Sequence, residues 1–212
     1  MNSIKVKLPF TNIEIEQLAE GHPVTDAADY LQNTIIGNTR QGSLNALELG
    51  SGNGIISFML ALQRPNWQMT GIELQKELSD LADLNNARLR LKCSFISGDL
   101  REYKTLLKFQ GYELIFSNPP WVKAGAGNIS PDKTRALSRQ EITCTMSDIL
   151  ACVDWCLSPE GSAWIIYPQQ RKAELARELA KMELEVGRLF EAEENPLCFI
   201  AKIRRKQESN HW

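Results

Sequence analysis

The sequence predicts an α/β fold, a mostly parallel sheet with helices on both faces. Three observations predict it. From Leu44 onward, strand-length apolar runs alternate with helix-length amphipathic ones. A glycine-rich turn joins the first strand of that series to its first helix, and acidic or polar residues recur where the strands end. With 212 residues and 43% hydrophobic content the chain can bury a large sheet, and one domain over residues 1–212 is expected.

The elements follow in order. Thr11-Asn12-Ile13-Glu14 has the capping-box pattern and predicts a short helix that stops at Gly21. Thr25 caps a second helix over 26–36, closed by Gly37, so residues 1–40 read as a helical extension on the ligand side of the sheet. Residues 41–43 turn into a first strand at 44–49, which runs into Gly50-Ser51-Gly52-Asn53-Gly54 and a helix from Ile55 to Leu62. A second strand at 67–72 ends on Glu73, a helix covers 75–90, and a third strand covers 93–96. The fourth strand, 112–116, leads into Ser117-Asn118-Pro119-Pro120-Trp121. A helix over about 142–157 stops at Ser158-Pro159-Glu160-Gly161, and a strand at 162–167, a helix at 170–182 and strands at 184–190 and 197–204 complete the chain.

No ordinary strand-to-helix loop needs two prolines and an aromatic, as 117–121 has. Consecutive prolines have fixed φ and no N–H, so they hold Asn118 and the neighbouring carbonyls in one rigid display beside the flat face of Trp121. A planar amine lying on that indole can donate to the Asn118 amide oxygen and the Pro119 carbonyl, leaving its nitrogen lone pair free to attack. That is the chemistry of amine methylation, with Asn118, Pro119, Pro120 and Trp121 as the catalytic candidates.

The upstream turn is a cradle for a nucleotide, because glycines at positive φ let a ligand approach the backbone. Its spacing is Gly-x-Gly-x-Gly; the dinucleotide fingerprint would need a glycine at Ile55, which argues against a nicotinamide oxidoreductase. With Glu48 before the first glycine it resembles the S-adenosylmethionine motif of class I methyltransferases. The cofactor candidates are Glu48, Gly50, Ser51, Gly52, Asn53 and Gly54, with Glu73 and Leu74 at the second strand end for the ribose. Asp99 and Leu100 follow for the adenine, and Asn118 borders the same pocket. Taken singly, Glu73 and Asp99 are equally well read as helix-terminal charges or caps. Four motifs in order on successive strand ends favour a ligand.

Further residues narrow the resemblance. The run from Asn118 to Lys123, with Gly125, Gly127, 128–131, 136–141, Cys144 and Thr145, is similar to the bacterial tRNA adenine-N6-methyltransferases that modify adenine 37 of valine tRNA, over most of 25–206. The resemblance implies a Rossmann-like, seven-stranded, mostly parallel sheet with an antiparallel edge hairpin, S-adenosylmethionine as cofactor and tRNA as partner. It also implies that the target adenine leaves its stack to lie on Trp121. This chain has Trp121 where the family's NPPY-type motif usually has tyrosine, and Gln140 where it usually has histidine. Guanine-N2 methylation of ribosomal RNA, protein glutamine methylation and a non-enzymatic cofactor-binding module stay open beside it.

Composition excludes other chemistry. His22 and His211 are the only histidines, too few for a zinc hydrolase or a Ser-His-Asp mechanism, and no metal is expected. Five cysteines without a C-x-x-C pair read as reduced thiols. No signal-peptide or membrane-length apolar run is present, so a cytoplasmic place is expected. The formal net charge of −2 is low for an RNA binder, leaving basic patches to carry that contact. Candidates are 202–206 and the 122–139 loop with Lys123, Lys133, Arg135 and Arg139; Thr25-Asp26 lies near the expected cofactor pocket.

Overall fold

The computed structural model describes residues 3–9, 11–19, 26–119, 121, 144–192 and 195–207. Thr25, Pro120 and the 122–139 loop therefore lie outside the described residues.

Strands β3 (Asn45–Leu49), β4 (Gln68–Glu73), β5 (Cys93–Ser97), β6 (Tyr112–Ser117), β7 (Leu157–Pro168), β8 (Leu184–Ala192) and β9 (Asn195–Arg205) form one sheet. Its order is β5-β4-β3-β6-β7-β9-β8. The first five are parallel, whereas β9 runs antiparallel between β7 and β8, as the sequence resemblance implies. Between β3 and β6 the order reverses, and parallel strands on both sides of that point open a crevice at their carboxyl ends. Helices α2 (Ile55–Gln63), α3 (Lys76–Leu89), α5 (Met146–Cys156) and α6 (Lys172–Leu179), with the single turn α4 (Tyr103–Leu106), make the crossovers.

The sheet separates two apolar layers. One packs Leu31 and Ile35 of α1 (Asp26–Asn38) and Phe58 and Leu60 of α2 against Leu114, Phe116, Trp164 and Ile200. The other packs Ile149, Leu150 and Val153 of α5 against Leu47, Ile115, Ile165 and Phe199. Alternate residues of β6 and β7 thus face opposite layers, which is why the paired stretches 114–116 and 163–167 are apolar without a break. Among the described residues, no helix is long and apolar enough to cross a membrane.

Three expectations are corrected. The helical reading of 11–21 gives way to a hairpin of β1 (Ser3–Lys7) and β2 (Glu14–Leu18), so the amino-terminal extension is a hairpin followed by α1. Ile13, Ile15 and Gln17 repeat with the period of a strand, and Thr11 serves a turn instead of a helix, donating to Leu8 O (3.0 Å) and accepting from Ile13 N (3.1 Å). Asn85 of α3 docks the hairpin, accepting from Glu16 N and donating to Glu16 O, both at 2.8 Å. Gly37 does not close α1, which continues to Asn38. Finally, the strand expected from Ser162 begins five residues earlier: β7 starts at Leu157, paired with Tyr112, and an irregularity over 158–161 carries it to Ser162, paired two residues on with Leu114.

Candidate functional site

The glycine turn owes its shape to positive φ: +70° at Gly50, +54° at Gly52 and +85° at Gly54. Gly50 and Ser51 both donate to Ile72 O (2.9 and 3.0 Å), which ties the turn to the end of β4. A Cβ at Gly54 would sit 2.8 Å from the rings of Phe58 and Phe95, so the turn is packed from beneath. At Gly50 and Gly52 nothing lies within 4 Å of the same position, so the other side of the turn is open. Gly54 is the N-cap of α2 and brings no side chain to its free N–H groups.

Two buried carboxylates hold this loop. Glu48 is 2% exposed and turns under the loop, accepting from Ser57 N (3.2 Å) and Ser57 Oγ (2.5 Å). Burial pushes its carboxyl up to about 8; the Ser57 bonds oppose the shift and the Glu73 charge adds to it. Glu73, at the end of β4, accepts from Gly52 N and Gln75 N, both at 2.8 Å, so one carboxylate bridges the turn and the start of α3. Its carboxyl is also raised by burial, against the backbone donors of Gln75, Gly52 and Leu74. Beside it Leu74 is 41% exposed, an apolar surface of the kind a purine ring covers.

Gly98 N donates to Glu73 O (2.9 Å) and so sets Asp99 next to these residues. Asp99 caps the 3-10 turn Leu100–Glu102, accepting from Arg101 N (2.9 Å), while the Arg101 guanidinium forks both carboxylate oxygens through Nε and Nη2. That pairing holds the Asp99 carboxyl below its usual range. Leu100 is half-buried next to it.

On the other side of β3, Ser117 Oγ donates to Leu49 O (2.7 Å) and locks the ends of β3 and β6 together. Asn118, half-buried, and Pro119, buried, follow directly, so the proline motif opens beside the glycine turn. Trp121 is half-buried against the layer that contains α1 and α2.

The strand ends thus gather the described candidates from four separate stretches of chain. Arg101, Ser57 and Ser117 were not foreseen. The i, i+2 spacing of Asp99 and Arg101 is a usable signal for the first, but nothing local links Glu48 to Ser57 or Ser117 to Leu49. Among the described residues no group of three or more His, Cys, Asp or Glu is placed to hold a metal. The open cradle over Gly50 and Gly52, the apolar Leu74 and the two carboxylates beyond it fit the loop, ribose and adenine parts of a nucleoside cofactor.

Comparison with known proteins agrees with this geometry. A family model described as a methyltransferase domain matches residues 41–208. The tRNA1(Val) (adenine(37)-N6)-methyltransferase of Porphyromonas gingivalis is 30% identical over 166 residues, 76% of this chain and 64% of that protein. The protein of the same name from a Shewanella species is 32% identical over 132 residues, 61% of this chain and 55% of its own length. The chain therefore spans less than two thirds of either relative. Among solved structures, the ribosomal protein L11 methylase of Lactobacillus delbrueckii subsp. bulgaricus superposes with a TM-score of 0.65 at 14% identity, covering 90% of this chain and 84% of that one. TrmN from Thermus thermophilus gives 0.61 at 18% identity, covering 85% and 48%. At these identities the structural likeness shows the fold, that of Rossmann-like class I methyltransferases.

Proposed function

The chain belongs to the methyltransferase domain family, and from that premise we propose that it is an S-adenosylmethionine-dependent N-methyltransferase acting in the cytoplasm on the N6 amine of a tRNA adenine. One observation carries the reading: Asn118 and Pro119 open from the end of β6 beside the glycine turn of β3, the two ends being locked through Ser117 and Leu49. An amine acceptor next to a nucleoside cradle is what nitrogen methylation requires. The relatives' names support tRNA and adenine as the substrate.

S-adenosylmethionine, when bound, supplies an electrophilic methyl group on a sulfonium. The residues at the strand ends divide the remaining work. The backbone of Gly50–Gly54 cradles the amino-acid end, Glu73 accepts from the ribose and Asp99 from the adenine amine, with Leu74 and Leu100 along the ring. Trp121 stacks the flipped target base. Asn118 Oδ1 and the Pro119 carbonyl accept the two N–H bonds of its amine, turning the nitrogen lone pair toward the methyl carbon. The amine so held would gain the methyl group as the carbon–sulfur bond broke, and its released proton would pass to solvent. No strong base is needed, because the donor is already activated and the protein supplies alignment.

Incubation of the protein with methyl-labelled S-adenosylmethionine and bulk tRNA from a strain lacking it, followed by nucleoside analysis, tests this. Label in N6-methyladenosine is expected. Label in N2-methylguanosine would keep the mechanism and replace the base, and label in protein glutamine would remove tRNA from the reading.

A further inference from the structure

The opposite end of the sheet carries chemistry that the methyl-transfer reading does not use. Phe109 is the one exposed aromatic side chain among the described residues, at 59%. Its neighbouring backbone is anchored to α5. The next residue, Gln110, sits at φ +46°, outside the ordinary range of a side-chain-bearing residue, and its N–H is bonded to Trp155 O at 2.9 Å. The Phe109 ring lies 4.6 Å from the Trp155 ring, whose other neighbour is Tyr103 at 6.2 Å. Lys104 Nζ stands 5.4 Å from the Trp155 centroid and 5.9 Å from that of Tyr103. The result is an aromatic ledge with an ammonium on it.

Lys108 borders the ledge and is packed against the turn: a Cβ at Gly111 would be 2.5 Å from the Lys108 Cβ. Beyond it lies a cleft of about 500 Å³, lined by Lys92 and Lys108 and by polar side chains that include Gln68, Thr70 and Ser94. Of the carboxylates on neighbouring elements, Glu113 is taken up by the Asn45 amide (2.8 Å) and Asp154 by Arg205 (3.1 Å). Glu102, beside Tyr103, and the exposed Glu160 near the start of β7 remain. On a chain with a formal net charge of −2, this concentration of lysines is local.

We propose that this surface is a second RNA-binding site, taking an unpaired segment with one base stacked on Phe109 and Trp155 and its phosphates on Lys104, Lys108 and Lys92. Stacking platforms beside a positive groove bind single-stranded nucleic acid without reading its sequence. An acidic peptide would satisfy the lysines and leave the flat face of Phe109 with nothing to stack, whereas a nucleotide strand uses both. The surface lies at the amino ends of β5 and β6, a strand length, about 20 Å, from Asn118. It goes beyond the methylation reading and stands without it.

The test is fluorescence anisotropy of fluorescein-labelled decauridylate with the full chain over a range of salt concentrations. This probe has no adenine to enter the methylation pocket. Phe109→Ala should weaken binding roughly tenfold and leave the salt slope unchanged. Lys92→Ala and Lys108→Ala should each reduce the slope of log K against log[salt] by about 0.7. All three side chains are exposed, so folding is checked simply by an unchanged circular dichroism spectrum. Wild-type affinity and slope in all three variants would overturn the proposal. So would tighter binding of decaglutamate than of decauridylate, lost in Lys108→Ala, which would make this a protein-docking face. If tRNA is not methylated while decauridylate binding keeps these dependences, the enzymatic reading falls and this site remains.

Discussion

Asn118 and Glu48 stand at the same end of adjacent strands, and changing them should fail in different ways. Under the proposed function, Asn118→Ala removes an acceptor for the substrate amine. Single-turnover transfer should fall by at least about 100-fold, while calorimetry gives a cofactor affinity close to wild type; a matching collapse of affinity would assign Asn118 to the cofactor instead. Glu48 acts through stability. Its carboxyl is raised to about 8 in the folded protein from an ordinary value of 4.5, so between these two values the folded state holds a proton that the unfolded chain has released. The contribution of Glu48 is therefore fully present below the lower value, declines as pH rises, and is gone above the upper one. Glu48→Gln keeps an acceptor for Ser57 and cannot ionise. The melting temperature of the wild type should fall more steeply between pH 5 and 8 than that of the variant, and equal slopes would show that the carboxyl titrates normally.

At the scale of elements, the glycine turn makes a comparison possible within five residues. Gly54→Ala must accept φ +85° and place a methyl group 2.8 Å from two aromatic rings, whereas Gly50→Ala meets only the backbone cost at φ +70°. The left-handed conformation alone costs about 1–2 kcal/mol for an L residue, and overpacking adds about 1–3 kcal/mol. Denaturant unfolding should find Gly54→Ala the more destabilised of the two, and equal losses would mean that the rings move aside. This turn was legible in the sequence because its positive φ at Gly50, Gly52 and Gly54 demands the residue type that marks the motif. So were the strands from β3 to β6, whose apolar runs the sheet buries on both faces. The amino-terminal hairpin was misread because Thr11 and Glu14 satisfy a helix-capping pattern, whereas pairing with β1 and the docking of Glu16 on Asn85, 69 residues away, select the strand. The start of β7 was hidden for a related reason, since Pro159 and Gly161 mark a turn in any local reading and a bulge absorbs it in the sheet. The carboxylate partners stayed illegible for want of proximity along the chain: Glu48 meets Ser57, and Glu73 reaches back 21 residues to Gly52.

For the whole molecule, the candidate site is a seam among β3, β4, β5 and β6 with no compact segment of its own. Gly50 and Ser51 are tied to Ile72, Gly52 to Glu73, Gly98 to Glu73 and Ser117 to Leu49, so a ligand lying on these loops would brace four strands at once. Binding to such a seam should stabilise the fold as a unit, because opening any one strand end would release the ligand. With S-adenosylhomocysteine at about 100 times its dissociation constant, the gain is roughly 2.7 kcal/mol, which for a domain of this size corresponds to a rise in melting temperature of about 5–10 °C. NAD, which the glycine spacing does not suit, should give no rise at the same concentration. Asp99→Ala should reduce the shift by weakening the hold on the adenine amine, since an acceptor lost from a half-buried site costs about 1–3 kcal/mol. A rise with NAD and none with S-adenosylhomocysteine would move the chain's chemistry from methyl transfer to hydride transfer while leaving the fold as described. An undiminished shift in Asp99→Ala would place the adenine elsewhere along the same seam, with Arg101 left as the permanent partner of that carboxylate.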